Sequence, residues 1–137
     1  LQEIIEEFNW ADGQDKLDLL LEYSGQMPPL PAWLDKETHM EQIHECMTPV
    51  FVHADKDAQG GMHYYFDVPP ESPTVRGFAA ILGAGLDGVS PEAVLNVPAT
   101  FYHEMGLQRV LSMQRMNGLN AILAHIKRLA TAQLTTT

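Results

Sequence analysis

At 137 residues, with 45% hydrophobic and 19% charged residues, the chain has globular rather than disordered composition, and its length suits a single domain spanning 1–137. The net charge of −10 is uneven: residues 1–71 carry 15 Asp/Glu against 3 Lys/Arg, and residues 72–137 carry 3 against 5. Such a chain is repelled by phosphate backbones and anionic lipid, which argues against nucleic acid and membrane surfaces as partners. The acidic half either keeps the protein soluble or steers a basic protein partner, and composition leaves both readings open.

No apolar run approaches the roughly 18 residues that span a bilayer. The first residues, LQEIIEEFNW, are acidic, unlike a signal or transit peptide, and the expected location is cytoplasmic. One cysteine, Cys46, allows no internal disulfide.

In chain order, Ile4, Ile5 and Phe8 predict a helix over 3–10. Asp12 reads as the N-cap of a second helix with Leu17, Leu20 and Leu21 on its apolar side, closed by Gly25. The segment QMPPLPAWL is too rich in proline for anything but extended, irregular chain. A short strand at 39–43, a strand over Val50–Ala54 and an alternating strand over Met62–Val68 predict a three-stranded antiparallel meander. The polar, glycine-rich DKDAQGG forms its hairpin turn. Cys46 then falls at the turn joining the first two strands.

Ser72-Pro73 is an N-cap with proline at the first helical position, leading into VRGFAAILGAGLDG. Ser90-Pro91 repeats the device for a helix to about Leu95, and Pro98 opens another ending near Gly106. Ser112 caps a long helix with Met116, Leu119, Ile122, Leu123, Ile126 and Leu129 on its buried side, ending in a frayed TTT tail. Grouped strands with helices before and after predict an α+β fold of two layers, with helices packed on one face of a small sheet.

The candidate chemistries narrow quickly. His39, His44 and Cys46 form a loose H-x4-H-x-C without the second close pair that structural zinc requires, so no metal site is expected. In GAGLDG the glycines Gly83, Gly85 and Gly88 fall at a helix end rather than after a parallel strand, which argues against a phosphate loop. A hydrolytic dyad of Cys46 with His44 or His103 lacks an oxyanion motif beside it. A thiol that accepts or passes a group remains. Glu45 disfavours the thiolate and protonated His44 favours it, so the local sequence predicts a quiet thiol, buried at rest and activated inside a partner's site.

Several segments resemble the SufE/CsdE family, the sulfur acceptors of cysteine desulfurases in iron–sulfur cluster assembly. EYSGQMPPLP is similar to that family's helix and "LP" stretch, and ECMTPVF stands where the family has a G-C-x-S-x-V-W turn and strand. TVRGFAAIL resembles its V-K-G-L helix. GLQRVLSMQRMNGLNAI resembles its L-S-P-S-R-x-N-G-L-x-A-M segment, with Leu111, Ser112, Arg115, Asn117, Gly118, Leu119 and Ala121 in register. Glu45 replaces the family glycine, Thr48 the serine, Phe51 the tryptophan, and Met113-Gln114 the Pro-Ser pair.

The resemblance implies a SufE/IscU-like two-layer fold and a persulfide-carrying accessory protein rather than a stand-alone enzyme. A pyridoxal-phosphate cysteine desulfurase would hand sulfur to Cys46, with Arg115 beside it and His44 nearby, and the sulfur would pass to downstream iron–sulfur assembly proteins. The chain itself would need no cofactor. The alternative is a binding or regulatory module that docks a desulfurase or scaffold without accepting sulfur, and Glu45 is the residue that keeps that alternative in play.

Overall fold

The computed structural model describes residues 1–45 and 47–134. Two helices open the chain, α1 (Gln2–Trp10) and α2 (Gly13–Gly25), followed by a short α3 (Lys36–His39). Then come β1 (Glu41–Gln42), β2 (Phe51–Lys56) and β3 (Met62–Asp67), and four helices: α4 (Pro73–Gly85), α5 (Pro91–Leu95), α6 (Phe101–Glu104) and α7 (Met113–Leu134). A 3-10 turn, Leu107–Arg109, precedes α7. The architecture is α+β.

The strands form an antiparallel meander in the order β1-β2-β3, with His53 opposite Tyr65 and Val52 opposite Phe66. The pleat sends Val52, Met62, Tyr64 and Phe66 to one face, where they are buried with α4 and α7. On the other face Trp33 meets His53 and Tyr65 edge-on, with ring centroids at 5.8 and 5.5 Å. There Lys36 sits 4.2 Å from the Phe51 ring centroid and 2.7 Å from Asp67.

The outer edge of β3 is covered rather than open. Met62 exchanges backbone bonds with Val89 and Gly88, the Val68 carbonyl accepts from Arg76 Nη1 at 2.9 Å, and the segment over Pro28–Pro31 flanks the remainder across a cleft. An extended run without proline N–H groups suits that position, because it shields an edge without extending the sheet. Tyr64 lines the same cleft, and burial pushes its phenol up to about 12.

The caps predicted at Asp12, Ser90 and Ser112 form: their side chains accept from the backbone N–H groups of Asp15, Ala93 and Arg115. Ser72 does not cap α4; its hydroxyl accepts from Thr48 Oγ1 at 3.2 Å instead. The strand expected over 39–43 is shorter, because Asp35 caps a helical turn that takes His39 and leaves only Glu41 and Gln42 in the ladder. Helix α7 buries the predicted apolar side except Leu129, which is half-buried, with Ala130 inside; the tail 135–137 lies outside the described residues.

Helix α2 departs most from its apolar pattern. Its inward face is Lys16, Leu20 and Ser24, whereas Leu21 is 52% exposed. The Lys16 ammonium donates to the carbonyls of Phe8 at 2.6 Å and Ala11 at 2.5 Å, satisfying the free carbonyls at the end of α1 and complementing its dipole. Leu20 lies against α4 at Gly77, where an added Cβ would come within 2.3 Å of the Leu20 carbonyl oxygen.

A histidine bridge closes the hairpin turn. His63 Nδ1 lies 2.6 Å from Asp87 and Nε2 lies 2.7 Å from Asp57. An imidazole donates at both nitrogens only when protonated, and the carboxylates, Asp87 foremost, hold its pKa above the ordinary histidine value. The Gly61 amide, with His63 and Gln59, holds the Asp57 carboxyl below its ordinary range.

Two measurements follow from this packing. Gly77→Ala should lower the urea midpoint without loss of helix content, at a cost of about 1–3 kcal/mol. Because the folded pKa of His63 is raised, the bridge contributes fully below the unfolded value and fades as pH rises through the folded one. His63→Gln should therefore show its largest melting-temperature deficit below the ordinary histidine value of about 6.5, and the deficit should shrink as pH rises through the raised folded value.

Candidate functional site

The turn between β1 and β2 is tied at its base, where the buried Ile43 donates its N–H to the Val50 carbonyl at 2.8 Å. Between those anchors the chain leaves the core. His44 and Glu45 are exposed, Met47 is 82% exposed, and Thr48 turns back toward α4 through its bond to Ser72. Cys46 lies outside the described residues, and with it the expectation that its thiol is buried at rest.

Beside this turn is a cleft of about 460 Å³ with three walls. Glu45, Met47 and Thr48 form one, the start of α4 at Ser72–Val75 forms the second, and the start of α7 with Ser112, Arg115 and Asn117 forms the third. The walls follow from local chemistry. Proline at the first position of α4 starts that helix at the cleft, and the Ser112 hydroxyl accepts the Arg115 N–H at 3.2 Å, fixing the first turn of α7.

The structure therefore brings Arg115 to the residues that flank Cys46. Among the described residues Arg115 is the one cation lining the cleft; it is exposed, and no hydrogen bond or ion pair to another of them occupies its guanidinium. Two carboxylates, Glu45 and Glu71, belong to the same lining. His44 stands in the turn but outside that lining, exposed and with no hydrogen bond to a described residue.

Pattern reading missed the residues that hold the turn from α7. Glu41 accepts from His125 Nε2 at 3.0 Å, and Glu45 lies 3.8 Å from Arg128. Gln114 donates its side-chain amide to Met47 Sδ. These pairs join residues far apart in sequence, and only the surplus of acid before residue 71 and base after it hinted at them. Such exposed pairs are individually weak, on the order of 0–1 kcal/mol, so they bias the turn rather than lock it.

The arrangement is an open recess lined by Arg115, Thr48 and Ser72, with the exposed Met47 among its walls. It suits an anionic group held near the turn and a partner's apolar surface over the rim. Among the described residues no three His, Cys, Asp or Glu side chains converge as a metal site, and no helix is long and apolar enough to cross a membrane.

Known proteins share the fold and most of the chain. The family profile described as "SufE: Fe-S metabolism associated domain" matches residues 2–130. An uncharacterised SufE-like protein of Mycobacterium tuberculosis is 44% identical over 128 residues, covering 93% of this chain and 89% of the relative. The sulfur acceptor protein CsdE of Escherichia coli is 31% identical over 110 residues, covering 80% of this chain and 72% of its own. A hypothetical protein from Thermus thermophilus, solved in solution, superposes with a TM-score of 0.86 at 40% identity, covering 98% of this chain and 96% of that one.

The cap at Ser112 makes the placement of Arg115 testable. Ser112→Ala should cost about 1 kcal/mol of stability and fray the first turn of α7. Hydrogen exchange should then speed up at Arg115 and Met116 while the amides around Ile122 and Ile126 keep their protection.

Proposed function

This chain belongs to the SufE family, and from that premise we propose that it is one SufE-like domain over 1–137 that accepts sulfur on Cys46 from a cysteine desulfurase in the cytoplasm. The observation that supports the reading most is the cleft that joins Arg115 to Glu45, Met47 and Thr48, on either side of Cys46. The sulfur goes on to iron–sulfur cluster assembly, the metabolism for which the family profile is described.

The step is a thiol–disulfide-type exchange. The partner's cysteine carries a hydropersulfide, formed by its own pyridoxal phosphate from L-cysteine. The Cys46 thiolate attacks the outer sulfur, and a new S–S bond forms on Cys46. The bond from that sulfur to the partner's cysteine breaks, and its electron pair leaves with the partner's thiolate. The proton stays on the transferred sulfur, so nothing outside the pair is oxidised or reduced.

Arg115 supplies positive charge to the attacking thiolate and to the persulfide that follows, and His44 adds to it when protonated. Glu45 and Glu71 act the other way. A thiol in this setting is poorly ionised until the partner covers the cleft, which suits a carrier that stimulates its desulfurase and does no chemistry alone.

That pair of carboxylates also favours a second reading, a module that docks a desulfurase and regulates it without taking sulfur. Alanine production by the desulfurase separates the two. Under the carrier reading Cys46→Ser abolishes stimulation while leaving binding intact. Arg115→Ala lowers the transfer rate about tenfold, and Arg115→Lys recovers part of it. Stimulation by Cys46→Ser equal to that of the parent protein would establish the regulatory reading instead.

A further inference from the structure

Residues 1–25 hold seven carboxylates, from Glu3 to Glu22, and a single side-chain cation, Lys16. All seven are exposed. Lys16 is only 5% exposed and spends its ammonium on the Phe8 and Ala11 carbonyls, so the surface of the α1–α2 hairpin carries acid without a compensating cation of its own. Asp12 and then Asp18 beside it hold the Asp15 carboxyl above its ordinary range, which is the mark of that crowding.

The surface is not merely charged. Glu3, Glu6, Glu7 and Trp10 fall at i, i+3, i+4 and i+7, one stripe on the solvent side of α1, and Trp10 is 86% exposed. On α2, Leu21 lies one turn from Asp18 and is 52% exposed. Tyr23 donates to Glu7 at 2.8 Å and stacks on Phe8, which joins the two helices into one surface. An indole left in water beside an acidic stripe stabilises nothing within the chain, and is the kind of group that anchors a protein interface.

The two ends of helix α2 pack next to residues that neighbour two walls of the cleft. The helix begins where a Cβ on Gly13 would meet the Val110 side chain at 3.6 Å, two residues before Ser112 on the α7 wall. It ends where the Ser24 carbonyl accepts from Arg76 Nε at 3.1 Å, just past the α4 wall. A partner large enough to cover the cleft can reach this helix.

We propose that the α1–α2 face is a second docking surface for the cysteine desulfurase, taking a basic patch of that enzyme around an apolar recess for Trp10. This rests on the sulfur-acceptor reading. The charge decides the class of occupant: nucleic acid and anionic headgroups are repelled, and a second copy of this chain in a two-fold contact would meet its own seven carboxylates. Lys and Arg on a partner meet no cation here to push them away.

The test is the binding kinetics of the full chain on the desulfurase of its own genome, at low and high salt. Glu3→Gln/Glu6→Gln should slow association about fivefold at low ionic strength, with the gap closing near about 0.5 M salt. Trp10→Ala should speed dissociation about tenfold and leave association unchanged. A control with the same loss of charge elsewhere, Glu37→Gln/Glu92→Gln, should leave both rates within about twofold of the parent. Binding of the face variants indistinguishable from the parent would overturn the surface while leaving the acceptor reading standing. No binding by the parent protein would remove both. A concentration-dependent dimer lost in Trp10→Ala would assign the face to a second copy and overturn the proposal.

Discussion

The close approach of α2 and α4 sets the frame on which the candidate site is built. With no side chain at Gly77, the Leu20 backbone of α2 comes close enough that even a methyl group would collide with its carbonyl oxygen. That contact fixes α4 against the buried face of β3, with Gly83 beneath the Phe66 ring. Because α4 starts at Pro73, holding it by its middle also fixes where its first turn stands. Helix α7 packs against the same helix and against β2, so the starts of α4 and α7 meet on one side of the β1–β2 turn. The cleft is what remains between them.

Much of this was legible in the sequence wherever the controlling interaction is local. Asp12, Ser90 and Ser112 each cap through a bond to the amide three residues on, and such a bond needs nothing from the rest of the chain. The alternation of Met62, Tyr64 and Phe66 defined the buried face of the sheet for the same reason, and the glycines of GAGLDG do fall at and just beyond the end of α4. Ser72 shows the limit. It has the same Ser-Pro signature as Ser90, yet its hydroxyl finds Thr48, a residue 24 positions away. Lys16 shows it again, since a lysine reads as solvent-facing until the end of α1 supplies two carbonyls for it. Leu21, apolar and in phase by inspection, was displaced outward as a result.

The candidate site was legible in part. Its cysteine stood out as the one thiol of the chain, set at the turn between two predicted strands, whereas its arginine came from motif resemblance; the structure brings Arg115 to the flanks of the turn while leaving His44 outside the cleft lining. Three of the positions where this chain departs from the family pattern, Glu45, Thr48 and Gln114, line that cleft, whereas Phe51 lies on the other face of the sheet against Lys36. Glu45 faces Arg128 and Gln114 reaches Met47. These departures alter what a partner meets at the mouth of the cleft more than they alter the core. Glu45 itself draws the turn toward α7 through Arg128.

Whether sulfur arrives at Cys46 is the question on which the function turns. The most direct measurement is the intact mass of this chain after a single turnover with a cysteine desulfurase and L-cysteine, resolved to the modified residue. A sulfur carrier gains one sulfur atom, on Cys46, released by a reducing thiol and absent from Cys46→Ser. A chain that binds the desulfurase and leaves the reaction with its mass unchanged would contradict that role.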